Sequence, residues 1–483
     1  MTKTNSNKTL LGLLAALALC SCGGGTSDPA VSSSAPADSE DTSSVNQEAF
    51  DPNKPVTIKF WHTMGKTNED ILTGMIREFN KIYPNITVDA SSASGSYDDL
   101  CSLALSNIST GNLPTMAFCY PDHVAEYIDR NAVVNMESYV DHETYGFTED
   151  EGKSVDEQGA VRVGAADYVR SFWEEGKEYE KAGLYSVPFA KSTEALFYNK
   201  TLFDQNGYEV PTTWDEMWDL CRRIRADYPA KGSDGEYTYY PLGYDSDSNL
   251  FITLCEQLGL DYTTNDLTNH DSHFIFNNDG VRDMLTELKS LYDEGLFKTK
   301  GTSANGTYTS TKFTSGEIFM SIGSTGGTSY NDTQNFEVGV ATPPTTDLND
   351  PAVISQGPSI CFFNRATKAQ TTAAWLFYKF ISNAQNSVIY GVSTGYQPVR
   401  YSSYETPVYE RFLEESGADN IFVKVAETSA TMFDDYFTSP VFVGSAKARD
   451  EVGKLVPSVL MGTKSVSDAL NQAMSNCVNY TRG

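Results

Sequence analysis

The pattern that most restricts the fold is an alternation of short β-rich runs with helix-length amphipathic stretches over residues 56–120. Val56-Thr57-Ile58-Lys59-Phe60-Trp61 predicts a strand. Ile71, Leu72, Met75, Ile76, Phe79 and Ile82 then recur on one helical face until Pro84 stops the helix. Ile86-Thr87-Val88 predicts a second strand, residues 98–108 a second helix ended by Gly111 and Pro114, and Met116-Ala117-Phe118-Cys119-Tyr120 a third strand. Strands separated by helices of about 10–15 residues are joined as crossover units, which makes the sheet mainly parallel. Such a sheet binds ligands in the crevice beyond the carboxyl ends of its strands.

The same signals resume near Val187-Pro188-Phe189. Leu196-Phe197-Tyr198 predicts a strand, and Thr213-Trp214-Asp215-Glu216 a helix start with a capping box, Thr213 capping and Glu216 reaching back. Met217, Cys221 and Ile224 mark the buried face of that helix, and Val281, Met284, Leu285, Leu288 and Leu291 that of another. Residues 373–381 and 446–456 are also predicted helical. Residues 141–185 are acidic and weakly patterned, and predict a surface excursion. No internal repeat is present.

The N-terminal segment follows other rules. Lys3 and Lys8 precede an apolar run over residues 10–19, too short to span a bilayer, and Leu19-Cys20-Ser21-Cys22 follows, then three glycines. This resembles a lipobox, so residues 1–21 are expected to be a signal peptide and Cys22 a lipidated residue, its two acyl chains sufficient for stable anchoring. Residues 22–53, rich in Gly, Ser, Asp, Pro and Thr, predict a disordered tether. The expected location is the outer face of the cell membrane, with contact to the bilayer through the lipid alone.

About 430 residues remain, enough for at least two lobes. A net charge of −29 with no basic stripe argues against nucleic acid as a partner. Cys101, Cys119, Cys221, Cys255, Cys361 and Cys477 form no CxxC pair and read as buried thiols; with five scattered histidines, a structural zinc is not expected.

The run Val187-Pro188-Phe189-Ala190-Lys191-Ser192-Thr193-Glu194-Ala195-Leu196-Phe197-Tyr198-Asn199-Lys200, followed by Pro211-Thr212-Thr213-Trp214, resembles the extracellular solute-binding proteins of ABC importers. The closest subgroup binds glycerol-3-phosphate and sugars. Further matches fall in order: Phe60-Trp61-His62-Thr63-Met64, Gly95-Ser96-Tyr97-Asp98-Asp99-Leu100, Gly111-Asn112-Leu113-Pro114, Met320-Ser321-Ile322-Gly323-Ser324 and Thr394-Gly395-Tyr396-Gln397-Pro398-Val399. The resemblance covers residues 54 to the end. It implies a two-lobed α/β fold of the periplasmic-binding-protein type, with the ligand between lobes joined by crossings near 187–193, 334–340 and 363–368. Lobe 1 is then expected to span 54–190 plus 336–365, and lobe 2 191–335 plus 366–483.

The resemblance also implies a site. Tyr97, Ser192, Ser324, Gly357 and Tyr396 match ligand-contacting positions, with aromatic faces for sugar C–H surfaces and polar groups for hydroxyls. Asp122 stands where glycerol-3-phosphate binders place a glutamate one residue earlier. Phe442 aligns with their phosphate-binding arginine, and Arg449 is the nearest replacement; without a bidentate cation a phosphate dianion is poorly held. Glu194 matches a sugar-contacting glutamate of maltose binders. Trp61, just past the first strand, is a candidate platform.

Asp245-Ser246-Asp247-Ser248-Asn249 with Glu256 follows EF-hand spacing, but Leu250 replaces the required glycine, so a polar cleft loop carrying Asp245 is expected instead of a calcium site. Gly391-Val392-Ser393-Thr394-Gly395 fits G-x-S-x-G without a strand–elbow–helix context. A glycosidase carboxylate pair is not singled out among 64 acidic residues. The expected function is therefore non-catalytic capture of a sugar or polyol by a monomer, without metal or cofactor, for delivery to ABC permease subunits. Glycerol-3-phosphate or a glycerophosphodiester is the alternative cargo, and an extracellular carbohydrate-active hydrolase the alternative class.

Overall fold

In the computed structural model, which describes residues 49–93, 95–233, 235–270 and 272–482, residues 56–119 form a parallel β-α-β-α-β unit. Strand Val56–His62 pairs in parallel with Ile86–Ser92 on one side and with Met116–Cys119 on the other. Helix Lys66–Ile82 buries Leu72, Met75 and Phe79 against the sheet, while Ile82, expected on that face, is 60% exposed at the helix end. Helix Tyr97–Ile108 starts at a capping box in which Ser96 Oγ accepts from Asp99 N and the Asp99 carboxylate from Ser96 N.

Two antiparallel strands complete this first sheet, giving the order 86–92, 56–62, 116–119, 359–362, 187–188. A second five-stranded sheet has the order 338–341, 194–199, 318–324, 240–244, 297–299. Helix Trp214–Asp227 opens on the expected capping box of Thr213 and Glu216 and buries Met217, Cys221 and Ile224. Helix Asp279–Asp293 buries Val281, Met284, Leu285, Leu288 and Leu291. Each sheet has its own large apolar core, so the body is two α/β lobes.

The lobe boundaries fall elsewhere than expected. The chain first crosses between Val187–Pro188 and Glu194–Asn199, as anticipated. The return lies between 341 and 359, because Val338–Ala341 pairs antiparallel with Glu194–Asn199 in the second sheet. Helix Lys368–Ile381 then packs in the first core, with Phe377 against Phe79 at 5.1 Å, so the chain does not cross at 363–368. Ile421 and Val425 reach the second lobe, Met432 and Tyr436 the first, and from Phe442 the chain stays in the second. At both corrected points the deciding factor is the sheet or core that accepts the segment, which local pattern does not encode.

Two further expectations change. Phe50, assigned to the tether, is buried against Tyr145 at 5.9 Å, so the folded body begins before residue 54. The surface excursion expected over 141–185 holds for its first part, where residues 141–160 are mostly exposed, but from 164 to 185 the chain turns inward, and Tyr168, Val169, Phe172, Trp173 and Leu184 belong to the first core. Fully buried Arg400 faces fully buried Asp167 at 3.4 Å, and Asp167 also accepts from Ser154 and Ser402. Short elements with few repeating positions leave no period to read. The signal peptide, Cys22 and most of the tether lie outside the described residues.

Candidate functional site: a polar cleft between the lobes

Three strands end at one opening. Tyr120 follows Met116–Cys119, Asp245 follows Tyr240–Tyr244 and Lys300 follows Phe297–Thr299, and all three line a cleft of ≈ 710 Å³. This is the crevice beyond the carboxyl ends of the strands in each lobe. Tyr120 and Ser246 are also the N-cap residues of helices Pro121–Asp129 and Asp247–Gln257, so two helix N-termini open onto it. Helix Ser445–Leu460 contributes Ala446, Arg449, Asp450, Gly453 and Lys454, one stripe at helical spacing. The segment from Ile354 to Gly357 forms the floor.

That floor is the hinge. Ser192 and Gln356 exchange both backbone hydrogen bonds, at 2.9 and 2.8 Å, and Gln397 N donates to Lys191 O at 2.7 Å. Gly357 has φ +83°, and a Cβ there would lie 2.0 Å from Ala190 O. Its glycine is required by the approach of two hinge strands as well as by its position on the cleft. Beneath it the fully buried Lys191 ammonium meets the Glu175 carboxylate at 2.6 Å and donates to Gly357 O at 3.1 Å.

Most acidic groups of the lining already have donors. Asp98 faces His123 at 3.0 Å, and that contact holds its carboxyl below the usual range. Asp245 accepts from Thr309 Oγ1 at 2.7 Å and Ser310 N at 3.1 Å. Asp247 accepts from Thr299 Oγ1 and Gly301 N, yet burial still raises its pKa. Arg449 bridges the lobes, with Nε 3.4 Å from Asp122 Oδ2 and Nη1 donating to Asn249 Oδ1 at 2.8 Å. By contrast, the hydroxyl of Ser355, 8% exposed, is buried without a hydrogen-bond partner among the described residues, while the Gln356 side chain is directed at the Glu194 carboxylate. Buried polar groups in that state favour a ligand that satisfies them.

The structure distributes the expected site residues over three places. Asp122, Asp245 and Gly357 line the cleft. Ser192, Ser324 and Glu194 lie in the hinge beneath it: Ser324 Oγ donates to Ser192 Oγ at 3.3 Å, and Glu194 accepts from Tyr244 and from cleft-lining Asn249. Burial pushes the Glu194 carboxyl up to about 7. Tyr97 and Tyr396 do not line the cleft but pack behind its wall, Tyr97 on cleft-lining Tyr120 at 4.7 Å and Tyr396 against Gly326 of the second lobe.

Trp61 and Phe442 do not line the cleft. Trp61 is half-buried against the first lobe's apolar clusters, and Phe442 stacks on His273 at 4.2 Å inside the second core. Arg449, one helix turn beyond the N-terminus of Ser445–Leu460, reaches the cleft instead. Sequence reading did not name Tyr120, Lys300, Ser355 and Gln356 as site residues, while Asn249 lay in the run expected to form a polar cleft loop and does line the cleft. One of the unnamed residues, Tyr120, had a readable signal in its position at the end of the predicted third strand. Residues 247–257 form a helix capped by Ser246, not an ion-binding loop. Ser393 is exposed on the last turn of helix Ala384–Thr394, which is not a nucleophile elbow.

Two α/β lobes with a polar cleft at the strand ends and a paired hinge define a ligand-capturing protein. The chain belongs to the bacterial extracellular solute-binding proteins, whose family pattern matches residues 74–412. It is similar to the sn-glycerol-3-phosphate-binding periplasmic protein UgpB of Salmonella typhimurium, 24% identical over 428 residues, covering 86% of this chain and 91% of that one. The Escherichia coli K12 protein of the same name is 24% identical over 431 residues, with the same coverage. Among solved structures, UgpB of Mycobacterium tuberculosis with glycerophosphocholine superposes with a TM-score of 0.70 at 17% identity, covering 88% of this chain and 98% of that one. The Listeria monocytogenes substrate-binding protein with cycloalternan gives 0.69 at 18% identity, covering 89% and 99%. These likenesses bear out the two-lobed fold. No helix among the described residues is long and apolar enough to cross a membrane.

Proposed function

We propose that the chain is the lipid-anchored, non-catalytic binding subunit of an ABC importer, and that its cleft captures a neutral sugar or oligosaccharide. The observation that carries the cargo class is the state of Arg449. Its guanidinium is already shared between Asp122 and Asn249, in a cleft whose other acidic groups include Asp98, Asp245, Asp247 and Asp450. A phosphate dianion entering there meets acidic neighbours and no uncommitted bidentate partner. Neutral hydroxyls, in contrast, both donate to the carboxylates and accept from Arg449 and Lys300, while the cleft-lining rings of Tyr120 and Tyr308 supply apolar faces.

Titration calorimetry against mono- and oligosaccharides, polyols, glycerol-3-phosphate and glycerophosphocholine tests this reading. A saccharide is expected to bind most tightly. Tight binding of a phosphate ester and of no sugar overturns the cargo, and turnover of any compound overturns the non-catalytic reading. The second reading, a glycerophosphodiester, is favoured by one observation: a guanidinium does reach the cleft. Arg449→Ala separates the two, since it abolishes binding of a phosphodiester but weakens a sugar by about tenfold, one hydrogen-bonded charge. Anchoring at Cys22 is tested by Cys22→Ala, which is expected to move the exported monomer from the membrane to the soluble fraction.

A further inference from the structure

A second concave site shares no lining residue with the interlobe cleft. It lies where the antiparallel hairpin of Lys153–Val155 and Val161–Val163 meets the segment from Tyr401 to Phe433, and encloses ≈ 450 Å³. Its wall is aromatic: the Phe433 ring lies 6.0 Å from Tyr401 and 5.1 Å from Tyr404, and Tyr404 lies 5.1 Å from Tyr409, all at steep angles. The rings are fixed from behind. Tyr404 O–H donates to Pro398 O at 3.1 Å, Tyr401 Oη accepts from Arg170 N at 3.3 Å, and Tyr409 is buried. A platform already held in place loses little further freedom when a ligand stacks on it.

Three charged side chains surround this wall. The Arg162 guanidinium lies over the Tyr401 ring at 4.3 Å, and Glu405 and Glu427 are exposed at the rim. No ion pair holds any of the three among the described residues. Their mixed signs select neither a simple cation nor a simple anion. Arg162 already occupies the cation position on the Tyr401 face and repels a second cation, while the two carboxylates repel an anion. A neutral molecule with an apolar face and a rim of hydroxyls fits every group: the face stacks on the rings, and the hydroxyls accept from Arg162 and donate to the carboxylates.

We propose that this cavity is a second, surface-exposed carbohydrate site, which holds one neutral saccharide unit on the Tyr401–Phe433 wall between Arg162, Glu405 and Glu427. It acts independently of the interlobe cleft and retains a saccharide chain at the protein surface. It rests on the chemistry of its own lining, not on the cargo assigned to the cleft.

The test uses the full folded body, intact and with the cleft disabled by Asp245→Ala/Arg449→Ala. Maltohexaose, cellohexaose, mannohexaose and xylohexaose are titrated calorimetrically into each. The expected result is a millimolar binding step for at least one hexasaccharide, present in both proteins. Tyr401→Ala and Arg162→Ala each weaken that step by about tenfold, at unchanged melting temperature. Arg162→Ala keeps the test valid if the tyrosine variant folds poorly, because no ion pair ties Arg162 to the fold. Loss of the step in the cleft-disabled protein, indifference to both substitutions, or binding of choline chloride in place of the sugars would overturn the proposal. Failure of the cleft reading instead removes only the tighter step of the intact protein and leaves the millimolar one.

Discussion

At the scale of single residues, two buried groups at the hinge dominate. Lys191 and Glu175 are almost fully buried and paired at 2.6 Å, so each charge is tolerable only because the other is present. Lys191→Met is expected to cost about 3–5 kcal/mol in urea unfolding, and the double variant with Glu175→Gln to recover most of it. Glu194 acts in the opposite direction. Its carboxyl is pushed up to about 7 in the folded protein from an ordinary 4.5, because burial outweighs the donors Tyr244 and Asn249. Below pH 4.5 both folded and unfolded chains hold the proton, and the group is neutral in its effect. As pH rises from 4.5 to about 7 the unfolded chain releases the proton first, so stability falls by about 3 kcal/mol, and the loss is complete above that range. Glu194→Gln should remove this component, visible as a smaller decline in urea midpoint between about pH 4.5 and 8 than in the parent. An unchanged decline in the variant would place the pH sensitivity elsewhere.

At the scale of elements, the hinge strands and the helix caps have different stakes. Gly357 combines a left-handed φ of +83° with a Cβ position 2.0 Å from Ala190 O. Gly357→Ala must part the 190–192 and 355–357 segments, and is expected to destabilise by about 2 kcal/mol or more and to weaken ligand binding. Binding at parent affinity would show that the hinge absorbs the shift. Thr213→Ala removes one side of a capping box on an exposed helix start, with an expected loss of about 1 kcal/mol in thermal unfolding and no change in affinity. The helices themselves were legible because their apolar faces repeat over several turns, as in Asp279–Asp293. The burial of residues 164–185 was not, since it rests on long-range contacts such as Arg400 with Asp167.

At the scale of the whole molecule, the proposed function rests on two separate cores joined by a hinge. The lobes have separate apolar cores and meet over a polar cleft, the arrangement that permits hinge closure around a solute. Arg449 already contacts Asp122 of the first lobe and Asn249 of its own, so it is placed to report closure. Saturating ligand is expected to lower the radius of gyration measured by small-angle scattering. At roughly 100-fold excess over Kd it should also raise stability by about 2.7 kcal/mol. A ligand that raises stability without changing the radius would indicate a cleft already closed before binding.

By itself the sequence determined the α/β alternation, the faces of the long helices, the capping residues, the existence of two lobes and the family. These are local signals, set by side-chain period and backbone preference within some fifteen residues. Of the ligand positions that the resemblance and the polar loop suggested, Asp122, Asp245 and Gly357 line the cleft. Only the tertiary structure decided where the chain crosses between lobes, that Phe442 packs inward while Arg449 faces the cleft, and that Ser355 carries an unpaired hydroxyl at its lining. The physical reason is distance along the chain. The cleft joins residues near 98, 122, 245, 356 and 449, and which side chain points into the shared space depends on how two cores pack, a property of no single segment.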